Sequence, residues 1–192
     1  HEGEVLLDDV NVKQYDTVSL RRSIGIVPQK AVLFKGTIRE NLRWGKSDAT
    51  DAELWDALDI AQAREVVKGK DGELDALVEQ GGVNFSGGQR QRLTIARALV
   101  RKPKILILDD SASALDYATD AALRKAIRGM ENPPTTFIVS QRASSVRFAD
   151  IILVLEDGEM VDSGTHEELL ERCGVYQEIY YSQFEKEAAN NG

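Results

Sequence analysis

The sequence carries one cysteine, Cys173, in 192 residues, so no disulfide can form within the chain. That suits a reducing compartment, and Cys173 reads as a half-buried helix residue. Long apolar runs are missing as well. The longest are Ile151 to Leu155 and Ile105 to Leu108, well short of the ~20 residues a membrane-spanning helix needs. The start shows no secretion-signal pattern. Basic residues are in deficit, 24 Lys and Arg against 32 Asp and Glu, for a net charge of -8. A phosphate backbone is bound by clustered Lys and Arg, so no nucleic-acid partner is expected. Internal repeats are absent, and only the polar tail Lys186 to Gly192 is expected to fray.

What is present is an ordinary globular composition, 42% hydrophobic and 29% charged, enough for one sizeable core with or without a small second lobe. Glu2 to Val12 alternates as a fragment of a strand pair. Ile24-Gly25-Ile26-Val27 is an apolar run stopped by Pro28, which predicts a strand ending at a loop. Thr50-Asp51-Ala52-Glu53 is a capping box, with Leu54, Ala57, Leu58 and Ala61 behind it on one helical face. Ser86-Gly87-Gly88-Gln89 repeats the box and opens a helix whose buried stripe is Leu93, Ala96, Leu99 and Val100, ended by Lys102-Pro103.

From there the pattern is strand, helix, strand. Lys104 to Leu108 is a buried strand. Asp116 caps a helix to about Met130, with Ala118, Ala122, Leu123, Ala126 and Met130 inward, and Thr135 to Ser140 is a second buried strand. Such alternation implies an α/β fold with a parallel sheet covered on both faces. Asp157-Gly158 is a hairpin turn between Ile151 to Leu155 and Glu159 to Val161. Thr165-His166-Glu167-Glu168 starts the last helical region, where Leu169, Leu170, Tyr176, Ile179, Tyr180 and Phe184 are packing positions.

Two of these features carry chemistry. A helix N-terminus offers unpaired N–H groups and partial positive charge to a phosphate. Gly87 and Gly88 let an anion come close to the backbone, and Ser86 adds a hydroxyl. The strand Ile105-Leu106-Ile107-Leu108 runs into Asp109-Asp110, which puts carboxylates at the carboxyl edge of the sheet, where ligands sit in open α/β folds. Asp109 suits Mg²⁺, held through water.

These segments resemble the ATP-binding cassette (ABC) family over the full length of the chain. Asn84 to Arg92 resembles the signature motif, Ile105 to Asp110 the Walker B motif, Ser111 to Asp116 the D-loop and Val27-Pro28-Gln29 the Q-loop. Leu33 to Leu42, Asp162 to Leu170 and Gly174 to Tyr180 are similar to multidrug and lipid exporters. The resemblance implies a P-loop NTPase-type sheet with an antiparallel β remnant and an α-helical subdomain. Residues 1–45 would hold the partial β subdomain and Q-loop, 46–101 the helical subdomain ending in the signature helix, and 102–192 the rest of the ATPase core.

It further implies ATP and Mg²⁺, a second cassette as partner, and a transmembrane domain in the same full-length polypeptide that would hold the cassette at the cytoplasmic face of the membrane. Ser86, Gly87, Gly88 and Gln89 would contact nucleotide across the dimer. Gln29 would sense Mg²⁺ and the γ-phosphate, Asp109 would hold the metal, and Asp116 would touch the opposing chain.

The sequence departs from the family in three places. No G-x-x-x-x-G-K-[ST] loop is present. Gly45-Lys46-Ser47 imitates its end, but Glu40 occupies the earlier glycine position. The first core strand and phosphate loop are therefore expected before His1. Asp110 stands where the family has the glutamate that acts as general base, a carboxylate shorter by about one methylene, and a misplacement of about 1 Å can cost on the order of a hundredfold in rate. Gln141 stands where the family has its switch histidine, and an amide carries no proton or charge near neutral pH.

Two replacements in one composite site match the degenerate subunit of a heterodimeric exporter, whose partner would carry Glu and His. Val78-Glu79-Gln80-Gly81-Gly82 also departs from the usual exporter stretch, which contacts the coupling helices of the membrane domains. The competing expectations are a homodimeric exporter ATPase that tolerates Asp110 and Gln141, and a soluble regulatory ABC ATPase.

Overall fold

The computed structural model describes residues 3–111 and 113–190, with residues 184–190 by backbone alone. Two compact units divide the chain, residues 1–139 and 140–192.

The first unit opens on the expected strand pair, β1 (Leu6–Leu7) and β2 (Val10–Asn11), antiparallel. Asp16 caps α1 (Thr17–Ser23) by accepting the Ser19 N–H at 2.8 Å. Strand β3 (Ile24–Val27) stops at Pro28 as the sequence predicts. After the Gln29 loop come β4 (Gly36–Thr37) and α2 (Ile38–Arg43), joined by a capping box of Thr37 and Glu40 that the sequence reading did not single out. Helix α3 (Asp51–Ile60) starts from the Thr50–Glu53 box, and Leu54, Ala57, Leu58 and Ala61 are all buried. Short α4 (Arg64–Lys68) follows, then β5 (Leu77–Val78), which pairs antiparallel with β4. Helix α5 (Gly87–Leu99) starts from the Ser86–Gln89 box and buries Leu93, Ala96 and Leu99, with Val100 buried at its C-cap.

Strand β6 (Ile105–Asp109), helix α6 (Tyr117–Arg128) and strand β7 (Thr135–Val139) complete this unit. The sheet order is β3-β6-β7, all parallel, with Ile26, Ile107 and Phe137 side by side in register. Its two faces differ. Val27, Leu106 and Leu108 are buried in the main core, which also holds the apolar stripes of α3 and α5, and Ile138 packs against it. On the other face Ile26, Phe137 and Val139 are more than half exposed, so among the described residues β7 is not the buried strand expected.

Helix α6 also differs from its expected inner face. Its buried residues are Asp120, Leu123 and Ile127, while Ala118 is exposed and Met130 packs only partly. Leucine and isoleucine bury several times the apolar area of alanine, so Leu123 and Ile127 set the rotation. Asp120 lies on the same stripe one turn earlier, and its carboxylate pairs with Arg124 at 2.7 Å.

In the second unit α7 (Ala143–Val146) precedes the hairpin of β8 (Ile152–Glu156) and β9 (Glu159–Gly164). The turn is Asp157-Gly158, both at positive φ (+50° and +85°), which matches the right-handed twist of paired strands. Thr165 and Glu168 cap α8 (His166–Arg172), and α9 (Gly174–Asn190) carries most of the tail expected to fray. Asn191 and Gly192 lie outside the described residues. Leu169, Cys173, Tyr176, Ile152 and Val154 form this unit's core. Cys173 is thus buried rather than half-buried. His166 is a first-turn residue whose Nδ1 lies 2.9 Å from the Tyr176 hydroxyl.

Gly45 shows how tightly the first unit is packed. A Cβ there would lie 2.1 Å from the Arg97 carbonyl oxygen in α5. Gly45→Ala is therefore expected to destabilise the protein by about 1–3 kcal/mol through forced backbone shift, read as a lower urea midpoint. An unchanged midpoint would mean the segment does not rest on α5.

Candidate nucleotide site

The Asp109–Asp110 pair sits where strand β6 runs out. Asp109 is exposed, and Asp110 takes a left-handed backbone, φ +44°. That conformation is uncommon for a residue with a Cβ, and three bonds hold it. The Asp110 N–H donates to the Val139 carbonyl at 2.8 Å, continuing the β6–β7 ladder by one residue. Its own carbonyl accepts from the Ser113 hydroxyl at 2.8 Å and from the Ser113 N–H at 3.2 Å. The loop after the strand thus turns back on Asp110.

The Asp110 side chain meets the loop after β3. Gln29 Nε2 donates to Asp110 Oδ2 at 3.2 Å, a contact between residues 81 positions apart. β3 and β6 are adjacent parallel strands, so their carboxyl ends deliver Gln29 and Asp110 to one edge. Two of the residues expected to share a site therefore touch, and the Gln29 Oε1 and Asp109 carboxylate lie at the same edge as oxygen donors of the hard kind that Mg²⁺ takes. Among the described residues there is no group of three or more His, Cys, Asp and Glu that could hold a metal ion by itself. A metal here would share its coordination with phosphate and water, which fits Mg²⁺.

At the start of α5, Ser86 Oγ accepts the Gln89 N–H at 3.3 Å, and Gln89 Oε1 accepts the Ser86 N–H at 3.0 Å. Ser86 keeps its own O–H to donate. Among the described residues the N–H groups of Gly87 and Gly88 have no partner. The two glycines differ in purpose. A Cβ on Gly87 would meet nothing within 4 Å, whereas one on Gly88 would come 3.1 Å from the Ala114 carbonyl oxygen. Gly88 lets the D-loop lie closely against the helix start, where a Cβ would be tight, and Gly87 leaves the approach open.

The rest of the run is structural. Asn84 Nδ2 donates to the Leu77 carbonyl at 2.8 Å and its Oδ1 accepts the Glu79 N–H at 3.1 Å. Phe85 is buried, with the Lys70 ammonium 4.5 Å over its ring. Arg90 Nη1 donates to the Phe85 carbonyl at 2.6 Å and reaches the Gly82 carbonyl at 3.4 Å. These bonds tie the Val78 to Gly82 stretch, with Gly81 and Gly82 at φ +72° and +69°, to the signature helix.

Asp116 is exposed and caps α6, accepting the Thr119 N–H at 2.9 Å and the Thr119 hydroxyl at 2.7 Å. Those bonds, the backbone one foremost, hold its carboxyl below the usual aspartate range. Gln141 belongs to the second unit, where its carbonyl accepts from Gln183 Nε2 at 2.6 Å.

With this geometry in view, residues 1–113 match the family described as ABC transporter. The chain belongs to the ABC transporter family. An ABC transporter ATP-binding protein of Bacillus subtilis, YfiB, is 47% identical over 98% of this chain and 33% of its own length. A putative multidrug export ATP-binding/permease protein of Staphylococcus aureus is 40% identical over 94% of this chain and 31% of its own. Among solved structures, a bacterial Atm1-family ABC exporter with ATP bound superposes with a TM-score of 0.89 at 36% identity, over 95% of this chain and 32% of that one. The chain spans about a third of the length of these relatives. It is an ABC ATP-binding domain, a domain type that works as an ATPase.

Within this ABC domain Gly45-Lys46-Ser47 is not a phosphate loop. Gly45 is spent on packing against α5, and Lys46 pairs with Glu53, part of the α3 capping box. The Lys46 ammonium, together with the Thr50 N–H, pulls the Glu53 carboxyl down to about 2. Because the folded value is depressed, the pair's contribution is present above the ordinary glutamate range and is lost as pH falls toward about 2. An NMR titration should place the Glu53 midpoint at about 2, and Lys46→Ala should return it toward ~4.3. A midpoint unmoved by Lys46→Ala would leave the lysine available for anions.

Proposed function

We propose that this chain is the nucleotide-binding domain of an ABC exporter, pairs head to tail with a second cassette around ATP, and serves as the subunit with the impaired catalytic site. Residues 46–101 would form its helical subdomain, and residues 1–45 and 102–192 would belong to the β and ATPase parts. Membership in the family and the names of the export relatives support the first part of this reading. The replacement of the usual base and switch residue by Asp110 and Gln141 supports the last.

In this reading Asp109 and Gln29 would hold Mg²⁺, which would supply charge neutralisation to the nucleotide's phosphates. Asp110 is the general base for the attacking water. The Gln29 amide donates to its carboxylate at 3.2 Å, so the two side chains face one another at the sheet edge. Gln141 can hydrogen-bond a γ-phosphate but cannot place positive charge on it. Ser86, Gly87, Gly88 and Gln89 would complete the partner's site, offering a hydroxyl and two uncommitted N–H groups to its γ-phosphate. Asp116 would meet the opposing D-loop. A transmembrane domain in the full-length polypeptide would hold the cassette at the cytoplasmic membrane face. Among the described residues no helix is long and apolar enough to cross a membrane.

The test is ATP hydrolysis by the full-length protein, alone and mixed with a subunit carrying Glu and His at the matching positions. Alone, hydrolysis should be slow, and Asp110→Glu with Gln141→His should raise it on the order of a hundredfold. Mixing should restore hydrolysis, and Ser86→Ala in this chain should then depress it. Vigorous hydrolysis by the unmodified chain as a homodimer would refute the impaired-site reading.

A further inference from the structure

Helix α7 starts without help from its own N-cap residue, since the Arg142 side chain makes no capping bond. The cap comes from far along the chain. Gln183, in α9, accepts the Ala143 N–H on its Oε1 at 2.9 Å. The other end of the same amide, Nε2, donates to the Gln141 carbonyl at 2.6 Å, a contact between residues 42 positions apart. Arg142, between the two contacts, is extended, with φ -98° and ψ 114°. An extended residue leaves the carbonyl before it and the N–H after it on the same side, so one planar amide meets both. Gln183 thereby closes a ring over Arg142 as a residue of a neighbouring strand would. Two local bonds complete the hold. The Arg142 N–H donates to Ser140 Oγ at 3.0 Å, and the Arg142 carbonyl accepts the Ser145 N–H at 3.0 Å.

Gln183 is itself held in place. Tyr176, Tyr180 and Gln183 are spaced four and then three residues apart, which puts them on one face of α9. Tyr176 is buried in this unit's core with its hydroxyl 2.9 Å from His166 Nδ1, and the Tyr180 ring lies 5.0 Å from the His166 ring. Gln177 Nε2 donates to the Leu170 carbonyl at 2.7 Å. Helix α9 is therefore anchored on α8 before its next turn reaches the segment around Gln141. The Gln141 side chain is exposed and, among the described residues, makes no hydrogen bond. Its backbone is fixed by another helix while its amide stays uncommitted.

We propose that Gln183 is a positioning residue of the nucleotide site, holding the backbone around Gln141 so that the Gln141 amide is presented to the γ-phosphate. The inference rests on the reading of Gln141 as the residue that meets that phosphate. It makes α9 part of the catalytic apparatus, although no residue of α9 touches nucleotide. A side chain whose backbone is fixed loses less freedom when it meets its ligand, so Gln183 acts on the rate through Gln141 and not on the affinity for ATP.

The experiment is a double-mutant cycle on the full-length protein in lipid vesicles, read as kcat and KM for radiolabelled ATP. Gln183→Leu should lower kcat on the order of tenfold and leave KM unchanged. With Gln141→Ala already in place, Gln183→Leu should cost nothing further, because nothing is left to position. Gln183→Glu keeps the acceptor for the Ala143 N–H and loses the donor to the Gln141 carbonyl, so it should retain part of the rate. Equal losses in both backgrounds would mark Gln183 as a stabilising residue only and overturn this inference alone, as would a kcat unmoved by Gln183→Leu. A kcat unmoved by Gln141→Ala overturns the reading of Gln141 and this inference with it. Fast hydrolysis by the unmodified chain refutes the impaired-site reading and leaves the cycle intact. Hydrogen exchange on the nucleotide-free protein reads the same clamp without catalysis. The Ala143 amide should exchange about tenfold faster with Gln183→Leu and stay protected with Gln183→Glu, and an Ala143 amide unaffected by Gln183→Leu also overturns the inference.

Discussion

Helix α5 meets other backbone at two glycines, closely at Gly88 and too closely for any side chain at Gly45. At its N-terminal turn the Ala114 carbonyl comes within 3.1 Å of where a Gly88 Cβ would be, and further along the Arg97 carbonyl lies 2.1 Å from where a Gly45 Cβ would be. These approaches fix the D-loop and the segment after α2 against one rigid rod. The helix is rigid because it is buried along Leu93, Ile95, Ala96 and Leu99, and because its first turn is closed by the Ser86–Gln89 box. Its hydrogen-bonded interior cannot adjust, so the loops must conform to it. What they present to a nucleotide or to a neighbouring chain follows from that.

The sheet edge obeys a different constraint. Parallel strands β3, β6 and β7 end together, and the ladder continues one residue beyond β6 through the Asp110 N–H. That bond, with the two that Ser113 makes to the Asp110 carbonyl, holds the left-handed backbone at 110 while the side chain stays within reach of Gln29. A longer side chain on the same backbone would project about one methylene further from the strand end. The backbone at 110 is therefore set by the sheet whatever carboxylate it carries, and only the reach of the acid is open to variation.

How much was legible in the sequence follows the range of the forces involved. The capping boxes at Thr50, Ser86 and Thr165 are local, and each stands where the pattern put it. Strand β3 and the hairpin turn at Asp157-Gly158 are likewise set by adjacent residues. The inward face of α6 departs from the alanine spacing because the larger Leu123 and Ile127 decide the rotation. The exposure of β7 was not readable, since an apolar strand looks the same whether or not a layer lies on it. Motif order puts Gln29 and Asp110 at neighbouring strand ends, but their direct hydrogen bond is seen only in the structure. Arg97 gave no signal at all. An arginine in a helix reads as a solvated residue until the structure shows its Nη1 buried without a partner.

The two glycine-rich segments show what separates a phosphate site from its imitation. Gly45-Lys46-Ser47 has a lysine and a hydroxyl residue beside a glycine, yet its positive charge is neutralised by Glu53 and its glycine is occupied by the α5 backbone. Ser86-Gly87-Gly88 has no cation, but it opens a 13-residue helix and leaves two N–H groups without partners. An anion is bound by what remains unpaired after folding, not by composition. Read as unspent hydrogen-bonding capacity, the first turn of α5 keeps two N–H groups open to an anion, and Arg97 keeps a buried Nη1 donor without a partner.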